Sequence, residues 1–540
     1  MRSPEDGKSG RTAVPPNLPA PPAPPAANPP DPVTPPPAGP ARRRTGLLVG
    51  LTAVVAVALA AAGVVVVKPG PVAGWMGGAE PTPTIAADPP EPPPGAVLAA
   101  VGNGAPTPTP DGLRTVLDPL VGADVLGPSV HVAVLDVATR ELLYGQGPET
   151  PTVPASTTKL ITAATVLSAR GPAYRIATRV VAGTAPGEVV LVGGGDPTLA
   201  INATGIYPGA GRLDQLAAQV KQALGGVAPT KVTVDSSLFP KPVYGPGWDA
   251  DIPTGGFAGP ITALMTDGGR VDPKDNVKGA ERYANPDIAA GRALARALGL
   301  PTAAVNAVAR GTAPPDAAAP PAGSEATPGT DQATPGTDQA SPGTGPAGPG
   351  TELGRVESPP MGRLVEFMLA DSDNVVAEAL ARQVALARNQ PASFDGAAAA
   401  MDAVVAELKL PADQSTLSDG SGLSRNNRIS PELLTDVLAL AADGTRPELA
   451  GIFAGLPVAG WSGTLTERFE GQDAGAAIGV VRAKTGTLTG VHAIAGVVTT
   501  AQGRLLAFSV LADQVPVGLE QAQPPLDRIA AALASCGCGS

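Results

Sequence analysis

The chain has 540 residues, of which 64 are Pro and 67 Gly, together about 24 % and roughly twice the usual share. One compact domain over the whole length is excluded, because Pro and Gly at that density break helices and strands. A formal charge of −11 without a long basic run argues against nucleic acid as a partner, and 2 His with 2 Cys are too few soft ligands for a zinc site, so no metal and no cofactor is expected.

Residues 1–45 read as a disordered, Pro-rich tail. Runs such as Pro35-Pro36-Pro37 favour solvated polyproline II and bury no core. Arg42, Arg43 and Arg44 then lead into an uncharged apolar run, residues 46–67. At about 1.5 Å per residue the run reaches about 33 Å, against a hydrocarbon core of about 30 Å. Three arginines stand before it and only Lys68 follows closely. The positive-inside bias therefore predicts a single membrane-spanning helix, with the N-terminus cytoplasmic and everything beyond it extracytoplasmic. Secretory h-regions run about 7–15 residues, so this run is too long for one; secretion after signal cleavage is the alternative. The cytoplasmic tail would be free to take a partner. Residues 68–95 read as a Pro/Gly-rich stalk.

Globular patterning begins near Gly95. Alternation over 129–136, resumed at 140–144, predicts a β-hairpin, with His131 as a strand residue. Apolar residues at helical spacing over 160–167 predict a helix that begins in the residues just before. Across 173–311 short strands (188–192, 231–234) alternate with helices (213–224, 288–298), which predicts an inserted α/β unit. Residues 312–352 are a low-complexity linker in which Ala326–Gln332 repeats as Ala333–Gln339. Beyond it, helices are predicted at 361–369, 375–387, 397–408 and 431–442, strands at 477–483, 491–499 and 505–511, and a closing helix at 526–534. Consecutive strands joined by short turns imply an antiparallel sheet with the last helix on one face. His492 falls on the middle strand. Cys536 and Cys538, one residue apart, are too close for an unstrained disulfide and read as a frayed tail or an intermolecular link.

Three short motifs carry chemistry: Ser156-Thr-Thr-Lys159, Ser372-Asp-Asn374, and Lys484-Thr-Gly486 followed by Thr487. Ser156 lies near the start of an apolar helix, and residues i and i+3 share a helix face, so the Lys159 amine falls beside the Ser156 hydroxyl. A lysine buried there among other cations has a lowered pKa and can act as a base. The helix N-terminus offers free N–H groups to a developing oxyanion. The second motif sits between two helices, where a loop can project Ser372 and Asn374 into a cleft. The third sits at the end of a strand, and Gly486 leaves room for a substrate backbone to approach. Glu378 reads as the solvated face of a helix. The loop Asp419–Arg425 reads either as a border of the cleft or as a Gly/Ser-rich turn.

Taken together and in this order, the three motifs resemble the signature of penicillin-binding proteins and serine β-lactamases. The long separation of Ser156 from Ser372 narrows the resemblance, as do Asp196-Pro-Thr-Leu199, Asp235-Ser-Ser-Leu-Phe239, Gly245-Pro-Gly-Trp248 and Asp419-Gly-Ser-Gly-Leu-Ser-Arg425. They resemble the low-molecular-mass D-alanyl-D-alanine carboxypeptidase/endopeptidases with inserted domains, over roughly residues 97–310 and 353–535.

The implied fold is α+β: a penicillin-binding, β-lactamase-like domain (96–172 and 353–535), with an antiparallel sheet flanked by helices and an all-helical lobe, interrupted by the α/β insert. The implied reaction is serine D,D-peptidase cleavage of the terminal D-Ala-D-Ala bond of peptidoglycan stem peptides, and of D,D-crosslinks, through an acyl-enzyme that β-lactam antibiotics also form. A serine β-lactamase and a dormant penicillin-binding scaffold are the alternatives. By the same resemblance Ser156 is the nucleophile, Lys159 its base and Ser372 a proton relay. Asn374, Lys484, Thr485 and Thr487 bind substrate, Gly486 shapes the site, and the N–H groups of Ser156 and Thr487 form the oxyanion hole.

Overall fold

A computed structural model describes residues 104–274, 279–315, 348–471 and 473–537. The expected tail, membrane helix and stalk, and most of the linker, lie outside these residues. Among the described residues no helix is long and apolar enough to cross a membrane.

Helix α1, Pro110–Val121, is capped by Thr109, whose hydroxyl accepts the Gly112 N–H, and it buries Leu113, Leu117 and Val121 one helical turn apart. The predicted hairpin follows as β1, Val130–Asp136, and β2, Leu142–Gln146. A 3₁₀ turn over Ala155–Thr158 opens into α2, Lys159–Arg170.

The insert contributes β3, Ala177–Ala182, β4, Glu188–Val192, α3, Leu213–Ala223, β5, Lys231–Asp235, α4, Pro286–Leu298, the short α5, Thr302–Asn306, and β6, Ala309–Arg310. Past the linker comes β7, Glu352–Glu357, which pairs antiparallel with β3. The insert's sheet therefore has the order β6-β5-β4-β3-β7, parallel from β4 through β6. The boundary expected near residue 353 moves accordingly, because the strand after the linker completes the insert before the helical lobe resumes. Its core gathers Val180, Leu191, Val234, Leu216, Val220 and Leu294.

The helical lobe consists of α6, Met361–Ala370, α7, Asn374–Ala387, and α8, Phe394–Glu407. The small ladder β8, Ser415–Thr416, with β9, Arg428–Ile429, precedes α9, Pro431–Ala442, and the short α10, Gly451–Gly455. Three strands follow: β10, Arg482–Leu488, β11, Val491–Thr499, and β12, Leu505–Ala512. The strand expected at 477–483 begins later, at Arg482, because Gly479 takes a left-handed φ of 74° and turns the chain first. Lys484 is thus inside a strand rather than at its end. The closing helix α11, Leu519–Ser535, starts before Pro524 and Pro525 instead of after them, since burial of Ala522, Pro525, Leu526, Ile529 and Leu533 outweighs the two missing N–H donors. Cys536 ends it, buried and disulfide-bonded, which corrects the frayed-tail expectation. Cys538, the sequence's other cysteine, lies outside the described residues.

The second sheet runs β10-β11-β12-β1-β2, antiparallel throughout. It is covered on both faces, and β11 shows why: Ile494 and Val498 pack with Phe508, α1 and α11, while Ala493, Ala495 and Val497 on the other face join the cluster of α2 and α6–α9. The whole is α+β. A smaller apolar cluster joins the insert to the lobe, with Phe239, Ile252, Ile261 and Met265 against Val375, Ala379, Phe394 and Leu423.

Candidate active site

Ser156 sits in the 3₁₀ turn ahead of α2, half-buried, while Lys159 at the first position of the helix is fully buried. One turn apart, they meet: Lys159 Nζ lies 3.0 Å from Ser156 Oγ. The amine also donates to Asn374 Oδ1 at 2.7 Å and to the Ser421 carbonyl at 2.6 Å.

The turn is built under strain. Ala155, immediately before the nucleophile candidate, has φ +47°, and Ser372 has φ +57°. Non-glycine residues held in that region cost roughly 1–3 kcal/mol each, and here tight packing holds both. A Cβ at Gly422 would stand 1.8 Å from the Ala155 carbonyl oxygen, so only glycine lets the 419–425 loop close against the strained turn. At Gly486 a Cβ would meet the Pro154 oxygen at 2.7 Å. The glycine expected to admit a substrate backbone thus has a different neighbour, the Ser156 turn itself.

Ser372 and Asn374 flank the start of α7. Asp373 between them is buried and caps the helix, its carboxylate accepting the N–H groups of Val375 and Val376. Its other oxygen takes the Tyr207 hydroxyl at 2.7 Å and Arg270 Nη2 at 3.2 Å, both from the insert. Burial opposes this charge, but Arg270 and then Arg282 outweigh it and hold the Asp373 carboxyl well below the usual range. Asn374, joined to Lys159 by its oxygen, donates with its nitrogen to the Phe257 carbonyl at 3.0 Å.

Lys484, fully buried on β10, donates to Ser372 Oγ at 2.9 Å and to the Thr485 carbonyl at 2.7 Å. Since β10 is an edge strand, one side of its backbone is free of the sheet. Ala483 N–H turns to that side, bonding Pro457, and with the two-residue period of a strand the N–H groups of Thr485 and Thr487 turn there too. Thr485 is half-buried, its hydroxyl 2.9 Å from that of Thr464, and Thr487 is exposed. The three motifs therefore converge: Ser156, Lys159 and Asn374 form one hydrogen-bonded group, and Lys484 with Ser372 forms the next, on a shared turn.

Several members of the site lie outside the three motifs. Ser421 and Phe257 act through backbone carbonyls, which no side-chain pattern reveals. Thr464 precedes Thr485 in a loop with no spacing signal. Glu378 overturns its expected solvated position: it is 1 % exposed, pairs with Arg382 and accepts the N–H groups of Gly420 and Ser421. Its i+4 spacing from Asn374 puts both on one face of α7, a signal that was available. The 419–425 loop, read either as a cleft border or as a Gly/Ser-rich turn, is largely buried and brings the Ser421 carbonyl onto Lys159. Asp419 is buried, accepts N–H from Gly422 and Ser424, and takes the Trp248 indole N–H at 2.7 Å. The histidines are strand residues: His131 shares a 2.8 Å hydrogen bond with Thr152, and His492 is buried on β11, its pKa lowered by burial and by Arg468.

The sequence pattern of the D-Ala-D-Ala carboxypeptidase 3 (S13) family matches residues 114–307 and 340–533. The chain is 36 % identical over 462 residues to carboxypeptidase DacB of Mycolicibacterium smegmatis, covering 84 % of this chain and 91 % of that one. It is 29 % identical over 449 residues to a D-alanyl-D-alanine carboxypeptidase of Actinomadura, covering 74 % and 80 %. In fold it is similar to the crystal structure of penicillin binding protein 4 from Haemophilus influenzae, at TM-score 0.58 and 21 % identity over 78 % of this chain and 97 % of that one.

Proposed function

This chain belongs to the D-Ala-D-Ala carboxypeptidase 3 (S13) family, and on that premise we propose how its own residues carry out the reaction. It is a serine D,D-peptidase that cleaves the terminal D-Ala-D-Ala bond of peptidoglycan stem peptides through an acyl-enzyme and is acylated by penicillins. Ser156 Oγ attacks the carbonyl of the penultimate D-Ala while its proton passes to Lys159 Nζ. The developing oxyanion lies between the N–H groups of Ser156 and Thr487. Lys484, Thr485 and Thr487 hold the terminal carboxylate, and Asn374 has a second amide N–H to offer the substrate backbone. As the C–N bond breaks, Ser372 Oγ passes a proton to the leaving amine with help from Lys484, and the proton that Lys159 took from Ser156 makes this good, so Lys159 is neutral again and Lys484 charged as before. Water then attacks the ester, its proton taken by Lys159 and handed to Ser156 Oγ as the acyl group departs.

The observation that carries this reading is the Lys159 environment: the amine stands 3.0 Å from Ser156 Oγ and is fixed there by two carbonyl acceptors. Labelling with a fluorescent penicillin tests it. Wild-type protein should label covalently, and Ser156→Ala and Lys159→Ala should not, with their folds intact. A wild type that never labels makes this a dormant scaffold, and release of hydrolysed penicillin at tens per second makes it a β-lactamase.

We also infer that residues 46–67 anchor the enzyme in the cell membrane, with the catalytic unit on the far side from the Pro-rich tail. The support is the arginine triplet ahead of an uncharged run of membrane-spanning length. Mature protein beginning near residue 70 would overturn it.

A further inference from the structure

Behind Lys159 lies a buried charged group that the reaction above does not use. Glu378, one turn along α7 from Asn374, points its Oε1 at the backbone of the 419–425 loop, accepting the Gly420 N–H at 3.1 Å and the Ser421 N–H at 2.8 Å. Its Oε2 accepts from Arg382 Nη1 at 3.1 Å. Ser421 thus donates its N–H to Glu378 and accepts Lys159 Nζ at its own carbonyl. Asn374 and Glu378 therefore anchor the same amine from one helix face, the first directly and the second through Ser421.

A carboxylate this deep is costly to bury, and an aliphatic side chain would fill the space without charge. What the carboxylate adds is direction. Two parallel N–H bonds clamp the loop so that the Ser421 carbonyl faces α2, and Asp419 secures the loop's other side through Gly422 and Ser424. The groups facing Glu378 are Arg382 on its own helix and Asp419 across in the loop. Burial first, and then Asp419, push the Glu378 carboxyl up to about 7 against the pull of Arg382.

We propose that Glu378 is a positioning residue for Lys159, holding the Ser421 carbonyl where it fixes the amine for proton transfer from Ser156. The proposal rests on Lys159 being the base, and the test separates the two. The acylation rate constant with benzylpenicillin would be measured across pH for wild type, Glu378→Ala, Glu378→Gln and Lys159→Ala, with thermal unfolding of each.

Glu378→Ala should lose about tenfold or more of the roughly 10²–10⁴-fold that a positioned base supplies. Its acid limb should move to lower pH, because the lysine ammonium loses a fixed acceptor. Glu378→Gln keeps an amide oxygen for the two N–H groups, so it should recover most of the plateau rate and hold its limb near that of wild type. If Glu378→Ala does not fold, Glu378→Leu, which fills the space without an acceptor, takes its place. An unmoved limb in the variant lacking the acceptor, a Glu378→Gln as slow as that variant, or a rate loss matching only the loss of folded protein, overturns the proposal. Normal acylation by Lys159→Ala overturns the base assignment instead.

Discussion

A lysine amine competes with bulk water for its proton unless its surroundings fix its hydrogen bonds, and Lys159 has them fixed from three separate segments: the serine turn, α7 and the 419–425 loop. Each segment reaches it by a close approach that a side chain would block. Gly422 is the tightest case, with φ +83° and no room for a Cβ against the Ala155 oxygen. Gly422→Ala should cost about 1 kcal/mol or more from backbone strain alone. The displaced loop should carry the Ser421 carbonyl off Lys159, so penicillin acylation should fall by more than unfolding accounts for. Thermal denaturation paired with labelling kinetics measures both; equal losses would mean that the loop has no part in holding the amine.

Helix α7 does its work at its first turn. Asp373 caps it, and the same carboxylate is locked to Tyr207 and Arg270, so the turn carrying Ser372 and Asn374 cannot rotate away from Lys484 and Lys159. The native pKa of Asp373 is depressed. Between that value and the ordinary one near 4 the unfolded chain binds more protons, so this contribution to stability is present above about pH 4 and is lost as the pH falls. In Asp373→Asn the acid-side fall in stability should be shallower, though Asp136 with Arg504 and Asp287 with Arg310 keep part of it. At neutral pH the variant should be weaker by about 3–5 kcal/mol, since Arg270 is left as an uncompensated buried charge. Urea titrations from pH 3 to 8 would show this; parallel curves for the two proteins would remove Asp373 from the account.

Across the whole molecule the insert is a wall of the active site as much as a domain of its own. Its sheet and helices bury a separate core, but the stretch between β5 and α4 leaves that core and lies on the helical lobe. From there Phe257 holds Asn374, Trp248 holds Asp419 and Arg270 holds Asp373, joined on Asp373 by Tyr207 from the stretch between β4 and α3. Asp249 pairs with Arg425 at 2.7 Å on the same border. Two of the three segments that hold Lys159, the start of α7 and the 419–425 loop, are thus braced by residues inserted between the first motif and the second. The strand that follows the linker returns to the insert's sheet, so the chain enters and leaves this wall at adjacent strands, β3 and β7.

Much of this was readable in order along the chain. The three motifs, the hairpin, the lobe helices and the alternation of β11 and β12 are local patterns: period, spacing and residue type are properties of short stretches. Glu378, by contrast, looks from its neighbours like any solvated helix glutamate, and only the packing of the 419–425 loop over α7 buries it. The β7 strand also escaped local reading, since its partner β3 lies far off in sequence, and the start of β10 is set by the left-handed turn at Gly479. The chain by itself determined which side chains gather at the candidate site and roughly which elements carry them. Tertiary structure alone decided what orients them, because orientation here comes from backbone carbonyls, buried charges and glycine contacts between segments hundreds of residues apart.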